Sequence, residues 1–282
     1  MVDEREVRWA SRTFAELRGH GMTRRDIAVA LDTGLLVRAR RDVYVSGAVP
    51  QTILRAARVG GRLDSVSLLR ELGVFVLDRS APDLHVQIPR HRSRLRLPSG
   101  DAGGTGRVIR HWRDDDVATG SLCAGLLPAL AQAVLDQPPR AAVATLDSAL
   151  NSGVLCAEQL GEVFALLPGR LWKLRGLVDG RAESGPETFV RLIARTLGVP
   201  VEPQVVVEGV GRADLVVDGR IIIECDSRAF HGGWAQQESD RRRDLGYAAR
   251  GYATIRPTAR QIFAAPGLVR EALEGLLRGP RT

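Results

Sequence analysis

Lysine is almost absent from this chain of 282 residues: Lys173 is the only one, and arginine supplies the other strongly basic side chains. Any role that needs a lysine elsewhere must be filled by another residue. Cysteine is also scarce, and Cys123, Cys156 and Cys225 are widely spaced and odd in number. This spacing indicates neither a disulfide framework nor a C-x-x-C metal site. We therefore expect reduced, buried thiols.

Long apolar runs are missing as well. No run approaches the roughly 20 residues that a membrane-spanning helix needs, and the N-terminal stretch MVDEREVRWASR is too charged for a signal peptide. The sequence therefore predicts a cytoplasmic protein with no membrane partner.

The arginine excess gives a net charge of +7, and the positive surplus is concentrated in the first 113 residues. Such an excess suggests a polyanionic partner, although solubility alone also explains a mild excess. We expect DNA as the partner, with the protein associated with the nucleoid. The sequence leaves open a protein partner or a homodimer, and it indicates no small-molecule cofactor.

The segment SRTFAELRGHGMTRRDIAVALDTGLLVRARRDVYVSG is typical of two short helices followed by a two-part strand. Ser11 is suited to cap the first helix, and Thr23 to cap the second with Asp26 three residues later. A tight glycine turn between short helices predicts a helix-turn-helix, and the alternating strand predicts a hairpin. The alternative is a small helical domain with solvated arginines. The candidate DNA contacts are Arg24 and Arg25 at the second helix start, and Arg38, Arg40 and Arg41 near the hairpin tip.

The stretch MTRRDIAVALDTGLLVRARRDVYV resembles the winged-helix domain of AbiEi-type antitoxins. The resemblance implies a winged helix that binds DNA in a toxin–antitoxin setting. The chain departs from the family at Asp42, where glycine usually precedes the tyrosine. An acid at the wing tip would repel phosphate.

A basic run follows in the middle of the chain. In an extended segment its arginines project from one face at intervals of about 7 Å, as a phosphate track would require. The alternative is the solvent face of an edge strand, where arginines oppose aggregation. The run comprises Arg90, Arg92, Arg94 and Arg96.

Two further features describe the middle of the chain. His85, His91 and His111 lack the i,i+4 or other spacing of metal ligands, so we expect no metal site there. From residue 117 the chain is rich in alanine and leucine, with Pro128, Pro138 and Pro139 as breaks, which predicts a helical connector.

The C-terminal segment, from residue 183, predicts the order helix, strand, hairpin strand, loop, helix, strand, helix. Three isoleucines run directly into Glu224, Cys225 and Asp226, and ionised carboxylates at the end of a buried strand need a partner. A divalent metal would neutralise Glu224 together with Asp214 on the preceding strand.

The hairpin between these strands sets a geometric condition. A two-residue turn at Asp218 and Gly219 would set Asp214 opposite Ile223 and send Glu224 to the other face. A three-residue loop over 218–220, or a bulge, places Asp214 opposite Glu224. We therefore predict the irregular register, because a clean two-residue hairpin would argue against a metal site.

The motifs SGPE, GRADLVV, IIIECD, FHGG, DRRRDLGYAARGY and TIRPT resemble, in order, the Vsr-related endonuclease-like family of the PD-(D/E)XK superfamily. The resemblance covers residues 183–260. It implies that Asp214, Glu224 and the Cys225 carbonyl are metal ligands. It also implies that Glu187 is a carboxylate near the reacting water.

The chain departs from the superfamily at the usual lysine, two residues after the glutamate, where Asp226 stands as a further candidate catalytic residue: it is either an additional ligand or the mark of a lost lysine. Vsr-like enzymes use histidine instead, which makes His231 the candidate for activating water or protonating the leaving oxygen. Arg241 and Arg243 on the next helix are candidates for neutralising phosphate charge.

Each of these residues also has a structural alternative. Glu187 can serve only as the capping carboxylate of a helix that begins after Ser184, and His231 can be an ordinary loop residue. Residues 241–243 can form a solvated helix face paired with Asp240 and Asp244.

We predict a multidomain α/β (α+β) fold in four segments: a winged helix-turn-helix over 1–48, a middle α/β segment over 49–116, a helical connector over 117–181 and a restriction-endonuclease-like α/β domain over 182–282. The expected function is that of a DNA-binding, Mg²⁺- or Mn²⁺-dependent endonuclease, which hydrolyses phosphodiester bonds through metal-activated water. The alternative is a DNA-binding regulator of the antitoxin kind with an inactive nuclease fold, or a module that pairs with another subunit.

Overall fold

The computed structural model describes residues 9–77, 83–91, 106–225 and 234–279, and it has a mixed α/β fold. The chain forms two compact units. The first comprises Met1–Gly73, Asp78–Asp136 and Gly161–Leu167, and the second comprises Val74–Leu77, Gln137–Leu160 and Pro168–Thr282. None of the helices in the described ranges is long and apolar enough to cross a membrane.

The first unit opens with helices α1 (Phe14–Gly19) and α2 (Arg24–Asp32), followed by a hairpin of β1 (Leu36–Arg40) and β2 (Val43–Ser46). Thr23 and Asp26 cap α2 reciprocally, as expected. The expected cap of α1 was wrong: Thr13 caps this helix, whereas the Ser11 hydroxyl donates to the Gly120 carbonyl.

The rest of the first unit is built around a three-stranded sheet. Helix α3 (Gln51–Val59), β3 (Arg62–Leu63), α4 (Ser65–Glu71), β4 (Leu84–Ile88), β5 (Val108–Trp112) and α5 (Leu126–Asp136) follow in order, and the strand order is β3-β4-β5. Strand β4 pairs antiparallel with β3 and parallel with β5. Pro128 is not a break, because it lies in the first turn of α5, where a missing N–H costs no helical hydrogen bond.

The second unit contains α6 (Pro139–Asn151), a 3₁₀ helix (Ala157–Gln159), a second 3₁₀ helix (Gly169–Leu177) and α8 (Gly185–Arg195). Between the two 3₁₀ helices the chain forms α7 (Leu160–Ala165), of which all residues after Leu160 belong to the first unit. A four-stranded sheet of order β6-β7-β8-β9 comes next, with β6 (Val201–Val207), β7 (Gly211–Val217), β8 (Ile221–Ile223) and β9 (Ala253–Ile255). Helix α9 (Trp234–Ala248) connects β8 to β9, and α10 (Ala259–Ala264) and α11 (Pro266–Arg278) end the unit.

The three isoleucines of β8 are buried on both faces of this sheet. Ile221 and Ile223 pack in a cluster with side chains of α6, α8, α10 and α11, whereas Ile222 packs on the other face with Tyr247 of α9. A sheet covered on both sides explains why the strand is continuously apolar. The strand ends at Ile223, and the acidic Glu224 follows it directly.

Candidate functional site

The connection between β7 and β8 has the predicted irregular length. Leu215 pairs with Ile223 and Val217 with Ile221, so residues 218–220 form a three-residue loop. Asp218 and Gly219 both have positive φ, of 53° and 65°. Continuing this register by one residue sets Asp214 opposite Glu224, as predicted from the carboxylates.

Glu224 is buried at the end of β8 and engaged by α9. Its Oε1 accepts hydrogen bonds from Arg243 Nη2 at 2.6 Å and from the Tyr247 hydroxyl at 2.8 Å. The same Arg243 nitrogen also donates to the Arg212 carbonyl. These contacts fix one carboxylate oxygen of Glu224 and hold α9 against the end of β8.

Asp214 is held by the backbone of the facing strand. Its Oδ2 accepts the Cys225 N–H at 2.7 Å, which ties the carboxylate to the residue directly after Glu224. The thiol of Cys225 is buried and, because of this burial and the adjacent acids, its pKa is well above the ordinary value.

Glu187 lies in the first turn of α8 and is only 4% exposed. The Ser184 hydroxyl accepts the Glu187 N–H, but the Glu187 carboxylate does not complete the expected reciprocal cap. Its Oε2 accepts the Glu183 N–H at 2.9 Å and the Gln204 amide at 2.8 Å. The carboxylate therefore links the helix start to β6.

Gln204 is a site residue that sequence reasoning missed. It lies in β6 with φ of +58°, between two residues that pair with Leu215 and Ala213, and its amide donates to Glu187. Its side-chain Oε1 is buried and has no hydrogen-bond partner among the described residues. A left-handed non-glycine residue in a strand is strained, and such residues cluster at functional sites. No sequence pattern marks this conformation.

The electrostatics of the cluster disfavour ionised carboxylates without a cation. Burial raises the pKa of Glu187, Asp214 and Glu224 above their ordinary values. The negative charge of Asp214 raises the pKa of Glu187 and of Glu224 further. Arg243 pairs with Glu224. Within the described part of the chain, neither Glu187 nor Asp214 forms an ion pair with a basic side chain.

The donor set fits a hard divalent cation. Carboxylate and amide oxygens are the ligands that Mg²⁺ prefers, and it commonly takes only one or two protein carboxylates. Gln204 lies on β6, Asp214 on the neighbouring β7, and Glu224 directly after β8, which pairs with the other side of β7. These oxygen ligands match the chemistry of such an ion, but among the described residues Glu187, Asp214 and Glu224 do not converge into a three-ligand group.

Several predicted site residues lie outside the residues that the structure describes: Asp226, His231, Arg92, Arg94 and Arg96. Arg241 is exposed on α9. Asp240 and Asp244 both lie beside Arg256, and Asp244 Oδ1 accepts from Arg256 at 2.7 Å, whereas Arg243 pairs with Glu224.

Most of the described arginines that the sequence predicts to contact DNA in the first unit are exposed. Arg24 and Arg25 lie at the start of α2, and the β1–β2 turn carries Arg41 and Asp42. Asp42 has φ of +56°, and its Oδ1 accepts the Phe14 N–H at 2.7 Å. The acid at the hairpin tip therefore binds the start of α1. Arg38, Arg41 and Arg90 are exposed and Arg40 is half-buried.

A second polar cluster, which sequence spacing did not reveal, lies in the first unit. His85 Nδ1, His111 Nε2 and an Asp136 carboxylate oxygen are within 4.8 Å of one another. The parallel pairing of β4 and β5 sets His85 opposite Ile109, so His111 points to the same face two residues later. Only the strand pairing, and not the spacing along the chain, brings these histidines together.

Burial also sets the ionisation of this second cluster. Burial lowers the pKa of His111, against the attraction of Asp136, so its imidazole is neutral near pH 7. Burial alone would raise the pKa of Asp136, but hydrogen bonds with His85 and Ser65 lower it overall. The cluster therefore combines a neutral imidazole with an ionised carboxylate.

The cysteines are only partly as expected. Cys225 is buried and Cys123 is half-buried, but Cys156 is exposed at the start of the first 3₁₀ helix, so the expectation of a buried thiol was wrong there. All three are free thiols.

The chain matches no protein-family model, and no curated protein is similar to it.

Proposed function

We propose that the chain is a DNA-binding, metal-dependent endonuclease whose catalytic site is the carboxylate cluster of the second unit. One observation carries this proposal: the three-residue β7–β8 loop sets Asp214 opposite Glu224. Glu187 is a buried and Asp214 a half-buried carboxylate, and neither has a basic partner among the described residues. The resemblance of the surrounding motifs to Vsr-related endonucleases points to the same chemistry.

The chain's own residues have separable roles in this proposal. When bound, Mg²⁺ supplies a concentrated positive charge that activates water and neutralises phosphate. Asp214 and Glu224 hold the ion, with the Cys225 N–H orienting Asp214. Arg243 and Tyr247 fix Glu224 through one oxygen and leave the other for the ion. Gln204 orients Glu187.

The first unit supplies the DNA-binding surface in this proposal. Two short helices joined by a turn that contains Gly21, followed by a hairpin, match a winged helix in element order. Arg24 and Arg25 are exposed at the start of the second helix, where such domains contact DNA. The Asp42 carboxylate accepts the Phe14 N–H, a neutral donor that does not cancel its negative charge, so the hairpin tip is the less favourable part of this surface for phosphate.

A second candidate function is that of a DNA-binding regulator with an inactive nuclease fold. The contact between Arg243 and Glu224 favours it, because an ion pair already neutralises one ligand carboxylate. Asp226 in the usual lysine position favours it as well. In this alternative the second unit is retained for its fold and not for hydrolysis.

One experiment separates the two functions. The purified chain is incubated with supercoiled plasmid and with single-stranded DNA in Mg²⁺, in Mn²⁺ and in a chelator, while DNA binding is followed by fluorescence anisotropy. The endonuclease predicts nicked or linear products that need the metal. DNA binding without products under any of these metals would support the regulator and contradict the endonuclease.

A further inference from the structure

The second cluster, formed by His85, His111 and Asp136, joins three elements of the first unit. His85 lies on β4, His111 on β5 and Asp136 at the end of α5. Their side chains are 12%, 9% and 17% exposed, so the ligand atoms are largely shielded from water. The proposed nuclease chemistry does not use any of these residues.

The three atoms form a triangle of nearly equal edges. His85 Nδ1 lies 3.0 Å from His111 Nε2 and 3.1 Å from Asp136 Oδ2, and His111 Nε2 lies 3.4 Å from the same oxygen. Zinc ligands at about 2.1 Å from the ion are roughly 3.4 Å apart in a tetrahedron. A single ion can therefore reach all three atoms with little movement of the side chains.

While Asp136 is a carboxylate, protons alone cannot satisfy these three contacts. If both facing nitrogens carry a proton, the 3.0 Å contact between His85 and His111 joins two donors. If only one of them carries a proton, one nitrogen–oxygen contact joins two acceptors. A cation between the three atoms is attractive to all of them at once.

The surroundings orient the carboxylate as they do in metal sites. Ser65 Oγ donates to Asp136 Oδ2, and Gln132 Nε2 donates to Asp136 Oδ1 at 3.0 Å. The Ser67 hydroxyl accepts the His85 backbone N–H at 3.0 Å and fixes that end of β4. Outer contacts of this kind hold ligands in place and raise metal affinity.

We propose that His85, His111 and Asp136 bind a divalent transition-metal ion, with Zn²⁺ preferred. Two imidazole nitrogens and one carboxylate oxygen suit Zn²⁺, whereas Mg²⁺ prefers oxygen ligands only. Three protein ligands leave a fourth position for water or a substrate oxygen. The site is distinct from the carboxylate cluster in both its residues and its preferred metal.

The test measures Zn²⁺ binding to the full chain by isothermal titration after chelator treatment. Because the carboxylate cluster can also bind a divalent ion, the titrations are made in excess Mg²⁺. We expect one Zn²⁺ per chain, lost in His85→Gln and in His111→Gln and retained in His91→Gln. His91 is the matched control, since its side chain is 84% exposed in the same unit. Ser65→Ala should weaken binding by about tenfold or more.

A second measurement does not depend on variants that fold. The chain has five histidines, so their ring nitrogens can be followed individually by ¹⁵N NMR. Zn²⁺ should shift the signals of His85 Nδ1 and His111 Nε2 and leave those of His91 unchanged. The proposal is overturned if wild type binds no Zn²⁺, if both glutamine variants bind it as wild type does, or if the ring signals of His85 and His111 do not respond.

Discussion

Arg243 Nη2 and Glu224 Oε1 lie 2.6 Å apart, and the Tyr247 hydroxyl donates to the same carboxylate oxygen over 2.8 Å. This arrangement anchors α9 to the end of β8 through a buried acid. Both contacts use the same carboxylate oxygen, Oε1. These contacts therefore stabilise the second unit and also orient a carboxylate of the proposed catalytic site.

Removing the Tyr247 hydroxyl tests the structural part of this relationship. Tyr247→Phe preserves the ring but leaves a buried carboxylate with one hydrogen bond fewer. Hydrogen bonds to charged groups contribute about 1.5–3 kcal/mol, and we expect the free energy of unfolding in urea to fall by that amount. Tyr252→Phe, a matched change at a half-buried tyrosine, should have little effect. Equal losses in both variants would contradict the role of the Glu224 contact.

The buried pair of Asp147 and Arg191 supports the helix that carries Glu187. Asp147 Oδ2 accepts Arg191 Nη2 and the Thr188 hydroxyl, each at 2.7 Å, and thereby ties α6 to α8. Removing one partner of such a pair costs about 3–5 kcal/mol. We expect this loss for Arg191→Met in urea unfolding, and little change for Arg195→Met at an exposed position of the same helix. An unfolding free energy near that of wild type for Arg191→Met would show that the pair does not stabilise α8.

Thiol reactivity should differ among the three cysteines as pH rises. Burial raises the pKa of the Cys123 thiol to about 12 and places that of Cys225 well above the ordinary value. A raised thiol pKa keeps the group protonated and unreactive up to about pH 9, since the thiolate is the nucleophile. We expect alkylation, mapped by mass spectrometry, to modify exposed Cys156 alone in the native chain and all three residues in denaturant. Rapid native labelling of Cys123 at pH 9 would contradict this assignment.

DNA binding through α2 should depend on its first two arginines. Phosphate contacts release counterions, so each lost contact reduces the salt dependence of binding by about one unit. We expect Arg24→Ala with Arg25→Ala to weaken DNA binding and to lower the salt slope by about two units. Arg170→Ala with Arg195→Ala removes the same charge from exposed positions of the second unit and should leave both quantities nearly unchanged. If the two double variants behave alike, DNA does not contact the start of α2.

Local patterns predicted the elements well because their causes are local. Thr23 with Asp26 specifies a helix start, and the need to set Asp214 opposite Glu224 predicts the three-residue β7–β8 loop that is observed. The prediction that Ser11 caps a helix and the prediction that Cys156 is buried were wrong for a different reason. The partner of Ser11 is the carbonyl of Gly120, far along the chain, and the exposure of Cys156 depends on how its segment packs.

The least predictable features of both sites depend on tertiary contacts. The parallel pairing of β4 with β5 brings His85 and His111 together, and no spacing rule along one chain encodes it. The left-handed conformation of Gln204 and the pair of Asp147 with Arg191 are likewise products of packing. Sequence reasoning finds the acids of the candidate site, but not the side chains that orient them.

The most direct test of the central claim is the rate of plasmid nicking in Mg²⁺ by two matched glutamine variants. Glu224→Gln removes a proposed ligand charge, whereas Glu208→Gln makes the same change at an exposed turn residue. We expect the nicking rate of Glu224→Gln to fall at least about a hundredfold, because loss of metal charge stabilisation costs several kcal/mol, and that of Glu208→Gln to match wild type. Equal nicking by the two variants, or no Mg²⁺- or Mn²⁺-dependent nicking by wild type, would contradict the proposed nuclease.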